Sequence, residues 1–409
     1  VAAMLPEGSG ADETQVVVEG VTLALYRFDR YKSGEGAAAA KEIESVELWT
    51  AGEGTGLAGA IERGRAIAAG VALARDLVNT ISDDKTPPQI AETARQIGEG
   101  AGLRCTIMDK AALAAGGYNA ILTVGKGSDA EPRLIELVYE PEGGAATKTV
   151  ALVGKTITFD SGGLDLKTAE GMYTMKGDMG GGASVLGAMR AVADLKPPVR
   201  VIGLLTAAEN MPSGGAMRPS DVVKALNGKT FEIGNTDAEG RMVLADAVTH
   251  AARAGADEII DLATLTGAKV VALGDQTVAL VGNDQALADR FLAAAAAAGE
   301  RVWQLPAWPE YKDQLKSDIA DLKSTGGRGA GAITAGLFIG EFVEGKPWIH
   351  LDIAGSAFTD REGPYGAKGG TGVMVRSLLR YLEGAGGAAG GMHPAGEAHA
   401  EQLPRDVTP

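Results

Sequence analysis

The stretch NTDAEGRM, residues 235–242, sets Asp237, Glu239 and Arg241 at alternate positions. In extended backbone, side chains two apart point the same way, so the three charged heads would converge on one spot. Two more polar clusters follow apolar runs. VGKTITFDSGGLDLK carries Lys155, Asp160 and Lys167, and MYTMKGDMGGG carries Asp178 just ahead of a helical pattern. A further loop, ATLTGA at 263–268, adds hydroxyls and backbone groups. Four carboxylates gathered in one place repel, and unless protonated they need cations between them. Two divalent ions about 3.5–4 Å apart, bridged by shared carboxylates, meet that need. An ammonium is disfavoured beside two such ions, so Lys155 could lose its proton and bind as a neutral amine. Lys167 and Arg241 would stay cationic, free to hold anionic or polarised oxygens. Gly162, Gly163 and Gly180 to Gly182 would let backbone approach closely.

Each feature alone has a plainer reading. Asp178 reads as a turn or N-cap residue, DSGG as a tight turn, and Lys155 as a solvated strand end. Asp237, Glu239 and Arg241 read as an exposed edge strand. GDMGGGAS lacks the terminal Gly-Lys-Ser/Thr of a phosphate-binding loop. Met175 reads as core, and His250 and His350 as structural residues. The pattern alone leaves a two-metal site and a set of unconnected turns both open.

Composition narrows the chemistry. The chain has 409 residues, 45% apolar and 22% charged, with 59 glycines, which is ordinary for a globular protein apart from the glycine. No run of about 18 apolar residues is present, so no membrane span is expected. The first residues lack the basic and apolar segments of a signal peptide. A net charge of −15 argues against a nucleic-acid surface driven by bulk charge. A single cysteine excludes an internal disulfide framework and a multi-cysteine zinc site, and fits a reducing cytoplasm. Two of the four histidines lie in the Gly/Ala-rich tail, so a metal here must be held by oxygen ligands with at most an unusual nitrogen.

These clusters need a scaffold. Apolar runs alternate with helical periodicities from residue 81 onward, which predicts α/β architecture: a mixed, largely parallel central sheet with helices on both faces. In such sheets ligands bind beyond the carboxyl ends of strands, where the polar clusters fall. Strands are expected at 14–31 (one or two), 40–51, 103–109, 120–127, 133–141, 148–160, 199–210, 230–235, 257–267 and 348–354. Helices are expected at 57–79, 88–102, 110–117, 179–196, 219–226 with Ser220 as N-cap, 241–255, 332–345 and 377–384.

The clusters resemble those of the leucyl aminopeptidase family, the dinuclear cytosol aminopeptidases. NTDAEGR is that family's signature, and VGKTITFDSGGLDLK, MKGDMGG, DLATLTGA and WIHLDIAG match further blocks in the same order, over about Leu23 to Leu382. The resemblance implies a two-metal hydrolase that releases N-terminal residues, leucine-type among them, from peptides with a free N-terminus. It implies two divalent ions, Mn2+ or Zn2+. Lys155, Asp160, Asp178 and Glu239 would hold the tighter one, and Asp160, Asp237 and Glu239 the more exchangeable one. Lys167 would hold the scissile carbonyl oxygen, and Arg241 a bicarbonate acting as general base. Thr264, Leu265 and Gly267 would bind the substrate main chain, and Met175 would line the first side-chain pocket. It also implies a cytoplasmic homo-hexamer. The expected organisation is a disordered 1–13, a remnant of an N-terminal α/β domain at 14–52, a linker helix at 57–80, a catalytic domain at 81–384 and a disordered tail at 385–409. Three departures touch no ligand: Thr156 in place of a Gly, Ser324 in place of an Asn, and a missing Pro after Asn79. A different two-metal hydrolase, an inactive fragment, or a non-catalytic DNA-binding accessory of the same family are the alternatives.

Overall fold

The computed structural model of the protein describes residues 1–5, 8–33, 43, 45–50, 56–143, 146, 148–363, 366 and 368–386. Eight strands form its main sheet: β1 Arg104–Met108, β2 Arg133–Tyr139, β3 Thr149–Asp160, β4 Arg200–Asn210, β5 Glu258–Ala263, β6 Val278–Gly282, β7 Val302–Gln304 and β8 Trp348–Asp352. Their order across the sheet is β7-β6-β8-β5-β3-β4-β2-β1. β3 lies between β5 and β4 and runs parallel to both, and β8 runs parallel to β5. Outside this centre β2 is antiparallel to β4 and β6 antiparallel to β8. The carboxyl ends of β3, β4, β5 and β8 therefore share one edge.

The central strands are apolar on both faces because both faces are covered. On one face lie α2 (Leu57–Asn79), α3 (Gly180–Leu195) and the helices Pro87–Gly100, Gln285–Ala297 and Val375–Gly384, packed through Val71, Val185, Leu186, Phe291 and Leu378. On the other lie α4 (Glu239–Arg253) and the helices Asn119–Gly125 and Gly331–Gly340, packed through Ile121, Met242, Val248 and Phe338. No helix among the described residues is long and apolar enough to cross a membrane.

Four local expectations are overturned. Residues 14–31 do not form strands: α1 (Ala11–Ala24) is a helix packed on α2. The start of the chain, expected to be disordered, contributes a strand, Ala2–Met4, paired in parallel with Glu47–Trp49. Residues 120–127 are helical, as Asn119–Gly125, because the Asp246 carboxylate accepts from the N–H groups of Ala120 and Ile121 and so caps that helix from α4. Residues 219–226 hold a strand, Val222–Lys224, paired with Thr230–Glu232; Ser220 sits at φ +69° and caps no helix. The tail past residue 386 lies outside the described residues.

Candidate active site

The NTDAEGRM segment is not extended. Asn235 Oδ1 accepts from the Asp237 N–H at 2.7 Å, which bends Thr236–Ala238 into a 3-10 turn, and α4 starts at Glu239. Asp237 and Glu239 reach one place through a turn running into a helix, not through the two-residue repeat of a strand. β3 ends on Asp160. A one-turn 3-10 segment, Met175–Gly177, delivers Asp178 just before α3.

Ligand-capable oxygens of Asp160, Asp237 and Glu239 all lie within 4.8 Å of one another. Lys155 Nζ lies 2.9 and 2.8 Å from the two Asp178 oxygens, 2.7 Å from Glu239 Oε1 and 2.9 Å from the Thr264 carbonyl. Lys167 Nζ bridges Asp160 Oδ2 at 2.9 Å and Asp237 Oδ1 at 2.5 Å. The five residues Lys155, Asp160, Asp178, Asp237 and Glu239 thus form one cluster, with Lys167 at its mouth. Thr264 joins it through Oγ1, which donates to Asp178 Oδ1 at 2.7 Å. Leu265 and the N-terminus of the Gly267–Leu273 helix are held nearby by Asp352 at the end of β8, which accepts from the Leu265 N–H at 3.1 Å and the Thr266 hydroxyl at 2.6 Å. Met175 is half-buried in the turn that carries Asp178. Arg241 is buried but bonds no carboxylate: its NH1 donates to the Ser324 carbonyl at 2.9 Å, and its Nε has no partner. Ser324, one of the departures noted above, also accepts the Gly234 N–H through its hydroxyl.

Burial makes this cluster electrostatically costly. Glu239 is pushed up to about 8 by desolvation and by Asp160, with Lys155 pulling the other way. Asp178 is pushed up to about 6, again by desolvation first, and Asp237 is raised by desolvation and Asp160. Burial opposes the ammonium of Lys155, yet Asp178, Glu239 and Asp160 outweigh it and hold its pKa above the ordinary lysine value. A neutral Lys155 amine is therefore not what the protein charges alone favour; stronger positive charge nearby is needed to take its proton. Arg241, desolvated, is lowered to about 10 and stays a cation at neutral pH.

The donor set suits a metal. Asp178 Oδ2, Asp237 Oδ1 and both Glu239 oxygens are buried without a hydrogen-bond partner. Three of these four stand at ion-pair distance from a lysine but outside hydrogen-bond geometry. Buried acceptors are normally satisfied. Inward-facing carboxylate oxygens of this kind fit hard divalent cations. The two body histidines take no part: His350 Nδ1 is 2.6 Å from Asp261 Oδ1, and His250 lies between Tyr118 Oη and Glu136.

Residues 72–379 match the cytosol aminopeptidase family, catalytic domain. The chain belongs to that family. Among its relatives, the probable cytosol aminopeptidase of Alkaliphilus metalliredigens is 48% identical over 378 residues, covering 90% of this chain and 74% of the relative. That of Solibacter usitatus is 48% identical, covering 91% and 77%. Among solved structures, the bottromycin maturation enzyme BotP superposes with a TM-score of 0.86 at 41% identity, covering 94% of this chain and 83% of BotP. BotP in complex with Mn gives 0.87 at the same identity, covering 94% and 84%.

Sequence reasoning singled out the charged residues of the cluster but gave no role to Asn210, Asp165, Thr236 or Asp352, which hold the loops in place. The usable signal for Asn210 and Asp352 was position: each is a polar residue ending an apolar strand at the ligand-binding edge.

Proposed function

We propose that this protein is a two-metal aminopeptidase that removes the N-terminal residue of peptides, with a preference for leucine-type side chains. The observation that carries the reading is the largely buried cluster of Asp160, Asp237 and Glu239, with carboxylate oxygens left without a hydrogen bond at the carboxyl edge of the sheet. Asp160, Asp178, Asp237, Glu239 and the Lys155 amine would hold two divalent ions, Mn2+ or Zn2+. Bound there, such ions supply Lewis acidity to the scissile bond.

The chain's own residues do the rest. Lys167 keeps its proton because Asp160 and Asp237 outweigh the burial that opposes it, so it remains a donor for an oxygen that gains negative charge. Arg241 has an unpartnered Nε beside its bond to Ser324, which leaves a donor for a small oxyanion such as bicarbonate. The loop from Thr264 to Gly267, ordered by Asp352, offers backbone groups to the substrate main chain. Met175, half-buried and apolar, suits an aliphatic first side chain.

The test uses chelator-stripped protein replenished with Mn2+ or Zn2+. Leucyl p-nitroanilide should be hydrolysed and its N-acetyl derivative should not. Asp237→Ala should lose more than the 10–100-fold typical of groups that only support a ligand. Parent-level turnover by that variant, or hydrolysis of p-nitrophenyl phosphate without any of the anilide, overturns the reading.

A further inference from the structure

Asn210 ends β4 directly beside Asp160 at the end of β3, and it is 1% exposed. Its Nδ2 donates to Asp160 Oδ1 at 2.8 Å and to the Thr236 carbonyl at 3.0 Å. Both neighbours are pure acceptors, so only the NH2 end of the amide can face them. The Gly162 N–H donates to the same Asp160 oxygen at 2.9 Å. Oδ1 is thereby taken by two N–H groups, and Oδ2 is left to face Lys167 and the cluster. The backbone carbonyl of Asn210 accepts from the N–H and hydroxyl of Ser161. The loop after Asp160 also packs closely on the carboxamide. At Gly163, with φ +69°, a Cβ would stand 2.8 Å from Asn210 Oδ1. Thr236 completes the contact, donating through its hydroxyl to the Gly162 carbonyl at 2.6 Å and through its N–H to Asp165 at 2.7 Å.

We propose that Asn210 is a positioning residue for metal binding, its carboxamide fixing the rotamer of Asp160 and the backbone of the Thr236–Asp237 turn against each other. This rests on the two-metal reading. Asn210 bonds Asp160 and the turn that carries Asp237, but it bonds none of Lys155, Asp178 or Glu239. Its removal should therefore loosen the ion held by Asp160 and Asp237 more than the ion held by Lys155 and Asp178. Partners that orient a ligand are typically worth 10–100-fold in metal affinity.

Two variants test it: Asn210→Ala, and Asn210→Asp, which keeps the shape but turns an oxygen toward two acceptors. Stripped protein is titrated with Mn2+, and free ion is read by electron paramagnetic resonance. Thermal midpoints of the stripped proteins and turnover of leucyl p-nitroanilide are measured alongside. The expected result is about 10–100-fold weaker binding at the weaker Mn2+ site, a smaller change at the tighter one, and turnover recovered at raised Mn2+. Asn210→Asp should be the more affected variant, and it carries the test if the alanine variant does not fold. Parent-like affinity at both sites in both variants overturns the assignment. So does equal weakening of both sites together with a fall in thermal midpoint, the signature of a merely structural residue. A parent that takes up fewer than two Mn2+ per chain overturns the two-metal reading itself, and is distinguishable because it appears before any variant is made.

Discussion

Gly240→Ala sets two local rules against each other. Gly240 lies in the first turn of α4 between Glu239 and Arg241. Helix propensity alone predicts that alanine there stabilises the protein by up to about 1 kcal/mol. The surroundings oppose it: a Cβ at this position would stand 2.6 Å from Cδ and Cε of Lys155 and 2.7 Å from its Nζ. Ordinary contact begins at 3.4 Å, so the end of the lysine must retreat by roughly 0.8 Å. A retreat directed away from the two carboxylates would lengthen the ion-pair contacts to Asp178 and Glu239, now 2.8 and 2.7 Å, to roughly 3.5 Å and weaken them. The obstacle is the far end of a flexible side chain, so the fold can absorb it. Misplacing a reacting group by about 1 Å costs on the order of 100-fold, or about 2.7 kcal/mol in the barrier. Turnover of leucyl p-nitroanilide should therefore fall by about two orders of magnitude, while urea unfolding shifts by no more than about 2 kcal/mol. Gly20→Ala in α1 is the control: a Cβ there meets nothing within 4 Å, so it should gain about 0.5–1 kcal/mol and leave turnover unchanged. A Gly240→Ala protein with parental turnover and parental Mn2+ affinity refutes the placing of Lys155 among the ligands.

Asp246 is pushed up to about 7 by desolvation, against three backbone N–H donors from Leu226, Ile121 and Ala120. A folded-state pKa above the unfolded value of about 3.9 means that this group's contribution to stability is full at low pH and is lost as pH rises from about 4 to 7. The stability difference between parent and Asp246→Asn, followed by urea unfolding across that range, should shrink with rising pH; a flat difference contradicts the assignment. Lys85 is fully buried and donates to the carbonyls of Leu77, Val78 and Lys176. Lys85→Met leaves those acceptors unsatisfied and should destabilise by about 1–3 kcal/mol in urea unfolding. Chelation should abolish turnover and lower the thermal midpoint, with both restored by Mn2+, because ligands that bind only the folded state stabilise it; a midpoint indifferent to the ion contradicts a buried metal centre.

What was legible in the sequence and what was not divide along a physical line. β3, β4 and β8 are long or doubly buried apolar runs, and their hydrophobic pattern alone announces them. α2 was readable from its alanine-rich stripe and its stop at Asn79. Three of the four failures share another cause: each depends on a partner far along the chain. Val16, Val17 and Val18 favour a strand locally. Yet α1 is a helix that packs against α2, where Gly64 leaves room for Val18 to approach. The segment 120–127 carries Ala120, Ile121, Val124 and Gly125 buried at helical spacing, but its cap comes from Asp246, more than 120 residues away. No local window contains that carboxylate.

The site repeats the lesson at finer grain. Charged residues at strand ends advertise themselves, because burying them demands a reason. The residues that aim them do not: an asparagine at the end of an apolar strand looks like any strand terminus until Asp160 and Thr236 are seen to share its amide. The opening motif was likewise read with the wrong geometry. Alternation implied a strand, whereas the Asn235 cap curls the chain so that Asp237 leaves the turn and Glu239 starts α4. In a strand, Arg241 would have joined the carboxylates on one face. In a helix, two residues on is about 200° around the axis, so Arg241 takes Ser324 as its partner instead. That separation keeps a cation from neutralising Glu239 within the helix, and leaves an acidic centre and a basic flank side by side.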